Sequence, residues 1–146
     1  MSAFCFDEAA RVYGVNPNLL KGIASIESNN NPSAINHNNN GTRDLGIMQI
    51  NSSWIKPMGL DQQELLENPC YNVMTGAKIL KKCVERHGYT WEAIGCYNAV
   101  NPSMRVKYSW KVFNELNREP IPKNFTASPP NTSLYFVVRD VSDEGR

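Results

Sequence analysis

The sequence lacks any long hydrophobic run. No stretch approaches the roughly 20 consecutive apolar residues that a helix needs to cross a bilayer, so we expect no membrane span. Only two histidines are present, His37 and His87, and no two cysteines form a Cys-x-x-Cys pair, which argues against a zinc site. We therefore expect neither a metal nor a cofactor. A net charge of +1 on 146 residues gives no sign of a nucleic-acid partner.

Length and composition fit one globular domain followed by a tail. A chain of 146 residues, 41% of them hydrophobic, can bury a sizeable core. Residues 120–133 hold four prolines among Ser, Thr and Asn, which is a composition typical of linkers. We expect a domain over residues 1–119 and a flexible or partner-binding tail over residues 120–146. The first five residues show no secretory signal, which we interpret as the mature form of an exported protein with a short added start. The alternative is a cytosolic protein with four buried thiols.

The first candidate catalytic group lies on a predicted helix. Asn16 is a suitable N-cap, and Pro17 stands at the first helical position, where its missing N–H costs nothing. Leu20, Ile23 and Glu27 follow at i, i+3 and i+7, so Glu27 is expected on the apolar side. A carboxyl group there keeps its proton to higher pH, as a general acid requires. The alternative is a helix-end glutamate that reaches back to solvent.

The asparagine-rich segment after this helix brings in a second carboxylate. Asn38-Asn39-Asn40-Gly41 offers an Asn-Gly hairpin turn between Ala34-Ile35 and Thr42-Leu45, and the alternative for three consecutive asparagines is a mobile loop. Asp44 lies on the returning chain, 17 positions after Glu27, in a polar setting where a carboxylate stays ionised. Two carboxylates in opposed surroundings are the usual equipment of a glycosidase.

The remaining pattern is helical, so the expected fold class is mainly α with one small β-hairpin. Further helices are predicted over residues 5–13, 61–67, 70–87, 91–99 and 103–117. The four cysteines form an even set, which hints at an oxidising compartment. Cys83 and Cys96 stand at similar depth in an antiparallel helical hairpin, so a bond between them is plausible and leaves Cys5 with Cys70. This is one of three possible pairings for four cysteines.

Motifs in a fixed order resemble a known family. They are Glu27-Ser28, Gly46-Ile47-Met48-Gln49-Ile50-Asn51, Tyr97-Asn98-Ala99 and Tyr108. Together they span about residues 5–118 and resemble the motifs of the lysozyme-like lytic transglycosylases. The resemblance is strongest to the group associated with type III secretion systems, which includes EtgA, IagB and IpgF.

The resemblance implies a lysozyme-like α+β fold in which the hairpin flanks an active-site groove. It implies cleavage of peptidoglycan glycan strands at the β-1,4 bond between N-acetylmuramic acid and N-acetylglucosamine, with a 1,6-anhydro product. Glu27 and Asp44 would be catalytic, and relatives also support the Cys5–Cys70 bond. The substrate-binding residues would be Ser28, Met48, Gln49, Asn51, Tyr97, Asn98 and Tyr108.

The same resemblance implies a monomeric periplasmic enzyme that clears the cell wall for secretion-system assembly and docks to a secretion-apparatus component. Two other functions stay open. One is a lysozyme-type muramidase, a hydrolase in which Asp44 is nucleophile or stabiliser. The other is a non-catalytic peptidoglycan-binding module for assembly, because a fold does not fix an activity.

Overall fold

The computed structural model describes residues 4–97, 111–112 and 114–115, and it is mainly helical with one small sheet. The helices are α1 (Phe6–Tyr13), α2 (Pro17–Ser28), α3 (Ile55–Met58), α4 (Gln62–Glu67), α5 (Pro69–His87) and α6 (Trp91–Cys96). The strands are β1 (Ile35–His37), β2 (Arg43–Leu45) and β3 (Ile50–Asn51), with a 3-10 helix at Ser52–Trp54. The predicted fold class is confirmed.

The chain divides into two compact units, Met1–Lys78 and Ile79–Arg146. The first unit contains α1 to α4, the sheet and the beginning of α5. In the second unit, residues 111–112 and 114–115 are helical and fall within the helix predicted for 103–117. The rest of that helix and the predicted boundary at residue 119 lie outside the described residues.

Local sequence signals account for the first two helices. Gly14 ends α1 in the left-handed conformation, with φ 68°, which costs glycine no Cβ clash. The Asn16 side chain accepts hydrogen bonds from the N–H groups of Asn18 and Leu19, at 2.8 and 3.4 Å, and so caps α2 as predicted. The apolar face of α2 is buried at Leu19, Leu20, Ile23 and Ala24. Burial of this face fixes the orientation of α2 about its axis, and therefore the side on which Glu27 lies.

The sheet contains the predicted hairpin and one additional strand. β1 and β2 pair antiparallel, and β2 pairs antiparallel with β3, which the sequence pattern did not predict. The predicted Asn-Gly turn joins the two strands, and the Asn38 N–H donates to the Thr42 carbonyl at 2.9 Å, which closes a loop of three residues. In that loop the Gly41 N–H donates to the Asn38 carbonyl at 3.1 Å, and Gly41 has φ 88°. This geometry is typical of a three-residue hairpin loop with a glycine bulge.

Two disulfide bonds link helices within the units. Cys5 at the start of α1 is bonded to Cys70 in the first turn of α5, with their Cα atoms 5.4 Å apart. Cys83 near the end of α5 is bonded to Cys96 at the end of α6, with a Cα separation of 5.8 Å. Both bonds are the ones expected from the sequence, and they indicate folding in an oxidising compartment. Among the described helices, none is both long and apolar enough to cross a membrane.

Candidate active site

Glu27 lies in the last turn of α2, at the boundary between the core and solvent. It follows the fully buried Ile23 and Ala24 by four and three residues, so all three occupy one side of the helix. Glu27 itself is half-buried. The helix stops immediately afterwards, because Asn29 and Asn30 adopt left-handed conformations with φ 56° and 62°. The asparagine-rich stop predicted from sequence therefore places the carboxylate at the rim of the core.

Ser28 ties the end of α2 to the segment that follows β2. Its hydroxyl donates to the Ile47 carbonyl at 2.7 Å, and it accepts the Asn31 N–H at 3.1 Å. Ile47 stands three residues after Asp44 in the chain. The hydrogen bond therefore connects the helix that carries Glu27 to the strand and turn that carry Asp44. The contacts described for Ser28 are within the protein, and its substrate contact stays a prediction.

Asp44 lies at the centre of a polar row that crosses the sheet. The strand register places Asn36 of β1 opposite Asp44 of β2, and Asp44 opposite Asn51 of β3. Directly paired residues share a face of the sheet, so these three side chains project together. The alternate positions Leu45 and Ile50 are buried on the opposite face. This alternation holds the half-buried Asp44 at the polar surface of the sheet.

Each carboxylate oxygen of Asp44 accepts a side-chain amide hydrogen bond. Asn51 Nδ2 donates to Oδ1 at 2.8 Å, and Asn38 Nδ2 donates to Oδ2 at 3.2 Å. Both amides also donate to the hydroxyl of Thr42, at 3.1 and 3.0 Å. Both oxygens of the Asp44 carboxylate are therefore held in place by amide donors.

The turn between β2 and β3 is built around a glycine and a buried asparagine. Gly46 has φ 78°, and a Cβ added there would collide with Asn72 Nδ2 and stand 2.7 Å from the Leu65 carbonyl oxygen. Asn72 on α5 donates to the carbonyls of Leu45 and Leu65, both at 2.9 Å, and accepts the Met48 N–H at 2.9 Å. This fully buried side chain thus bonds three backbone groups, two beside the turn and one in the last turn of α4.

Sequence reasoning missed Asn72, although one signal points to it. Asn72 stands next to the core residue Val73 and precedes the buried Ile79 by seven positions, so a helical projection places it on the buried face of α5. A polar residue at core spacing normally has a specific hydrogen-bonding duty. Its partners, however, lie up to 27 positions away in the chain, and the helix pattern alone does not name them.

Met48 and Gln49 lie inside the protein rather than on an open surface. Met48 is fully buried, and Gln49 is 4% exposed. The Gln49 amide donates to the carbonyls of Gly46 and Ala34, at 2.9 and 3.2 Å, and accepts from Asn36 Nδ2 at 2.7 Å. These bonds give Gln49 a role in holding the turn against β1. Substrate contacts of Met48 and Gln49 stay predictions.

Tyr97 is the one predicted substrate-binding residue of the second unit that lies among the described residues. Thr90 caps α6 by accepting the Ala93 N–H at 3.3 Å, and Tyr97 follows the helix as a buried side chain. Burial raises the pKa of the neighbouring Tyr89 hydroxyl above its usual value. Asn98 and Tyr108 lie outside the described residues. The substrate contacts predicted for Tyr97, Asn98 and Tyr108 stay predictions.

One cluster of acidic and sulfur-bearing groups occurs among the described residues. Potential ligand atoms of Cys5, Glu8 and Cys70 all lie within 4.8 Å of one another. Both sulfurs are joined in the disulfide, however, and metal ions bind cysteine as the free thiolate. This cluster therefore does not form a metal site in the oxidised protein.

Comparison with known proteins gives the family. The family model "Transglycosylase SLT domain" matches residues 4–111. The chain is 39% identical over 142 residues to "Invasion protein IagB" of Salmonella typhimurium, covering 92% of this chain and 87% of that protein. It is 40% identical over 119 residues to "Protein IpgF" of Shigella flexneri, covering 80% and 78%. A "Peptidoglycan-binding-like protein" of Escherichia coli O157:H7 is 38% identical over 143 residues, covering 84% and 86%.

The match of the family model covers most of the chain, and the match to the Salmonella relative covers 92% of it. It includes both candidate carboxylates, the Gly46–Asn51 segment and Asn72. The chain belongs to the transglycosylase SLT domain family and is a lytic transglycosylase that acts on peptidoglycan.

Proposed function

We propose that the enzyme cleaves the β-1,4 bond between N-acetylmuramic acid and N-acetylglucosamine without water, with Glu27 as the single acid and base. Glu27 first donates its proton to the glycosidic oxygen, and the bond from that oxygen to C1 of the muramic acid breaks. The 6-hydroxyl of the same sugar then bonds to C1 and returns its proton to Glu27. The product is a 1,6-anhydro sugar, and the carboxyl group is restored.

The observation that carries this proposal is the hydrogen bond from Ser28 to the Ile47 carbonyl. At 2.7 Å it joins the end of the helix bearing Glu27 to the chain leaving the strand of Asp44. Glu27 is half-buried beside the core residues of α2, whereas each oxygen of Asp44 accepts an amide hydrogen bond, so the two carboxyl groups lie in different surroundings. In this proposal Asp44 stabilises the positive charge that develops at C1.

Digestion of purified peptidoglycan tests the chemistry. The wild type, Glu27→Gln and Asp44→Asn are compared, and the muropeptides are identified by mass. We expect anhydro products from the wild type, each lighter by one water than the reducing-end product of hydrolysis. Glu27→Gln should lose activity by about a thousandfold or more, since a catalytic acid contributes up to ~10⁴-fold. Anhydro products with an active Glu27→Gln variant would disprove the role of Glu27.

A second candidate is hydrolysis of the same bond in the manner of a lysozyme. The fixed position of Asp44, with an amide donor on each oxygen, favours this candidate because a retaining hydrolase needs a well-placed second carboxylate. Reducing-end products would establish it.

We further propose that the protein works as a monomer in the periplasm and clears the wall for assembly of a secretion apparatus. The two disulfides support an oxidising compartment, and a relative is named an invasion protein. In this proposal residues 1–119 form the catalytic domain, and residues 120–146 dock to the apparatus. Deleting residues 120–146 should leave digestion unchanged and abolish co-purification with the apparatus. Unchanged co-purification would remove the docking role.

A further inference from the structure

The carboxylate of Asp44 belongs to a hydrogen-bond relay with a defined direction. The relay starts at Asn40, whose side-chain oxygen accepts the Thr42 hydroxyl at 2.7 Å. The Thr42 oxygen accepts from Asn38 and Asn51, and these two amides donate their other hydrogens to Asp44. We propose that Thr42 is a positioning residue that, through Asn38 and Asn51, fixes the direction in which the Asp44 carboxylate points. This inference rests on the role proposed above for Asp44.

The direction of the relay matters because an asparagine amide can present either end. Rotation of the amide by half a turn replaces the NH₂ group by the oxygen, which would face the carboxylate oxygen and repel it. The Thr42 hydroxyl prevents this rotation when it offers only lone pairs to the two amides. Both amide nitrogens approach Thr42 Oγ1, at 3.0 Å from Asn38 and 3.1 Å from Asn51.

Because Asn40 binds the Thr42 hydroxyl proton, Thr42 acts as an acceptor toward the two amides. Asn40 Oδ1 accepts both the Thr42 hydroxyl at 2.7 Å and the Thr42 backbone N–H at 3.0 Å. The one hydroxyl proton is therefore directed away from Asn38 and Asn51. A threonine oxygen has two lone pairs, and the two amides use both. The Thr42 hydroxyl therefore makes all of its possible hydrogen bonds within the relay.

Asn51 is fixed at both ends of its amide. Its NH₂ group serves Thr42 and Asp44, while its Oδ1 accepts the Ser53 N–H at 3.0 Å and caps the 3-10 helix. The relay therefore assigns Asn51 to positioning, in place of the substrate contact that the family resemblance implies. A carboxylate held on both oxygens does not need to reorient as positive charge develops, which is how preorganised groups lower a barrier.

The first test compares two substitutions at Thr42, a half-exposed residue at the sheet rim. Thr42→Val removes the hydroxyl with little change in shape, and Thr42→Ser keeps it. We expect Thr42→Val to lower kcat about tenfold, a typical result of misplacing a group in an active site, with KM unchanged within about twofold. Thr42→Ser should rescue kcat to near the wild-type value. Asn39→Ala, an exposed change in the same loop, is the matched control and should alter neither constant.

A double-mutant cycle then separates failure of this inference from failure of the proposed role of Asp44. If Asp44→Asn alone leaves kcat unchanged, Asp44 has no catalytic role. If Asp44→Asn lowers kcat, adding Thr42→Val should lower it no further, because Thr42 acts through Asp44. An independent tenfold loss in the double variant would overturn the relay.

A binding measurement keeps the inference testable if Asp44→Asn is too slow to assay. In the Glu27→Gln background, Thr42→Val should leave the affinity for a β-1,4-linked N-acetylglucosamine oligosaccharide unchanged. Weaker binding would make Thr42 a sugar ligand and overturn its positioning role. An unchanged kcat in Thr42→Val would overturn it as well.

Discussion

The two units of the chain stabilise their backbones by different means. Within the described residues, the buried amide and aliphatic hydroxyl side chains all belong to the first unit: Asn16, Gln49, Asn72 and Thr75. Two of them, Gln49 and Asn72, serve the irregular turn beside the sheet. In the second unit, residues 79–97 are mostly helical, the Thr90 hydroxyl bonds two backbone groups between α5 and α6, and the Cys83–Cys96 bond joins these helices.

The difference follows from how much irregular backbone each unit contains. The turn beside the half-buried carboxylates leaves regular structure, and every N–H and C=O freed in this way must find another partner. Side-chain amides provide both donors and acceptors for that purpose. A helical hairpin frees few such groups and needs only a link between its helices. The residues around the candidate active site should therefore depend more on single polar side chains than the helical hairpin does.

The largest expected effect comes from removing the amide of Asn72. Asn72→Ala leaves three buried backbone groups without a partner, and we expect a loss of about 5 kcal/mol in the free energy of unfolding, together with loss of cleavage. Thr75→Val is the matched control on the same helix. Thr75 is also buried, but it donates only to the Tyr71 carbonyl of its own helix, at 2.9 Å. Urea unfolding measures both variants, and equal losses would contradict the special role of Asn72.

Removal of each disulfide compares the units directly. The Cys5–Cys70 bond spans 65 positions and the Cys83–Cys96 bond spans 13. In the chain-entropy account, replacing both cysteines by alanine should cost about 4 kcal/mol for the first bond and about 3 kcal/mol for the second. Denaturant unfolding of the two double variants checks the order. A larger loss for the shorter loop would show that interactions in the folded state outweigh loop closure.

Two glycines with similar backbone angles offer a sharper contrast. Gly46 has φ 78° and Gly14 has φ 68°, so alanine is strained at both positions. Around Gly14 nothing lies within 4 Å of an added Cβ. At Gly46 an added Cβ would meet the Asn72 side chain and the Leu65 carbonyl. We expect Gly14→Ala to cost about 1 kcal/mol and Gly46→Ala about 3 kcal/mol, because strain and overpacking add. Thermal unfolding of both variants gives the comparison, and similar losses would mean that the turn yields readily.

Local signals made much of the fold predictable. Asn16 with Pro17, Gly14, Asp61 and Thr90 each mark a helix end through contacts within a few positions of the chain. The structure has each of these ends where the sequence placed it. The hairpin was predictable as a pairing for the same reason, but its turn type was not. The Thr42 N–H and hydroxyl both donate to Asn40, and these bonds accompany the wider loop.

The organisation around the carboxylates depends on contacts that the sequence does not name. β3 is two residues long and has no alternating pattern of its own, so its pairing with β2 is visible only in the fold. Asn72 reaches Leu45 across 27 positions, and Ser28 reaches Ile47 across 19. Periodicity reports which face of an element is buried, whereas it does not report which distant backbone group a buried amide will satisfy.

The smallest expected change in stability comes from replacing Ser28. The variant tests whether the hydrogen bond from Ser28 to Ile47 contributes to catalysis as well as to stability. Ser28→Ala loses the donor to the Ile47 carbonyl, which should cost about 1 kcal/mol in the free energy of unfolding. Ser33→Ala, at an exposed position in the following turn, should stay within about 0.5 kcal/mol of the wild type.

Digestion of peptidoglycan at a temperature where both variants are fully folded separates stability from function. If Ser28 keeps the helix of Glu27 in register with the strand of Asp44, Ser28→Ala should lose about tenfold in rate, as expected for a misplaced catalytic group. Ser33→Ala should retain the wild-type rate. Full activity in Ser28→Ala would mean that packing of α2 alone places Glu27, because the hydrogen bond would then add stability without adding catalysis.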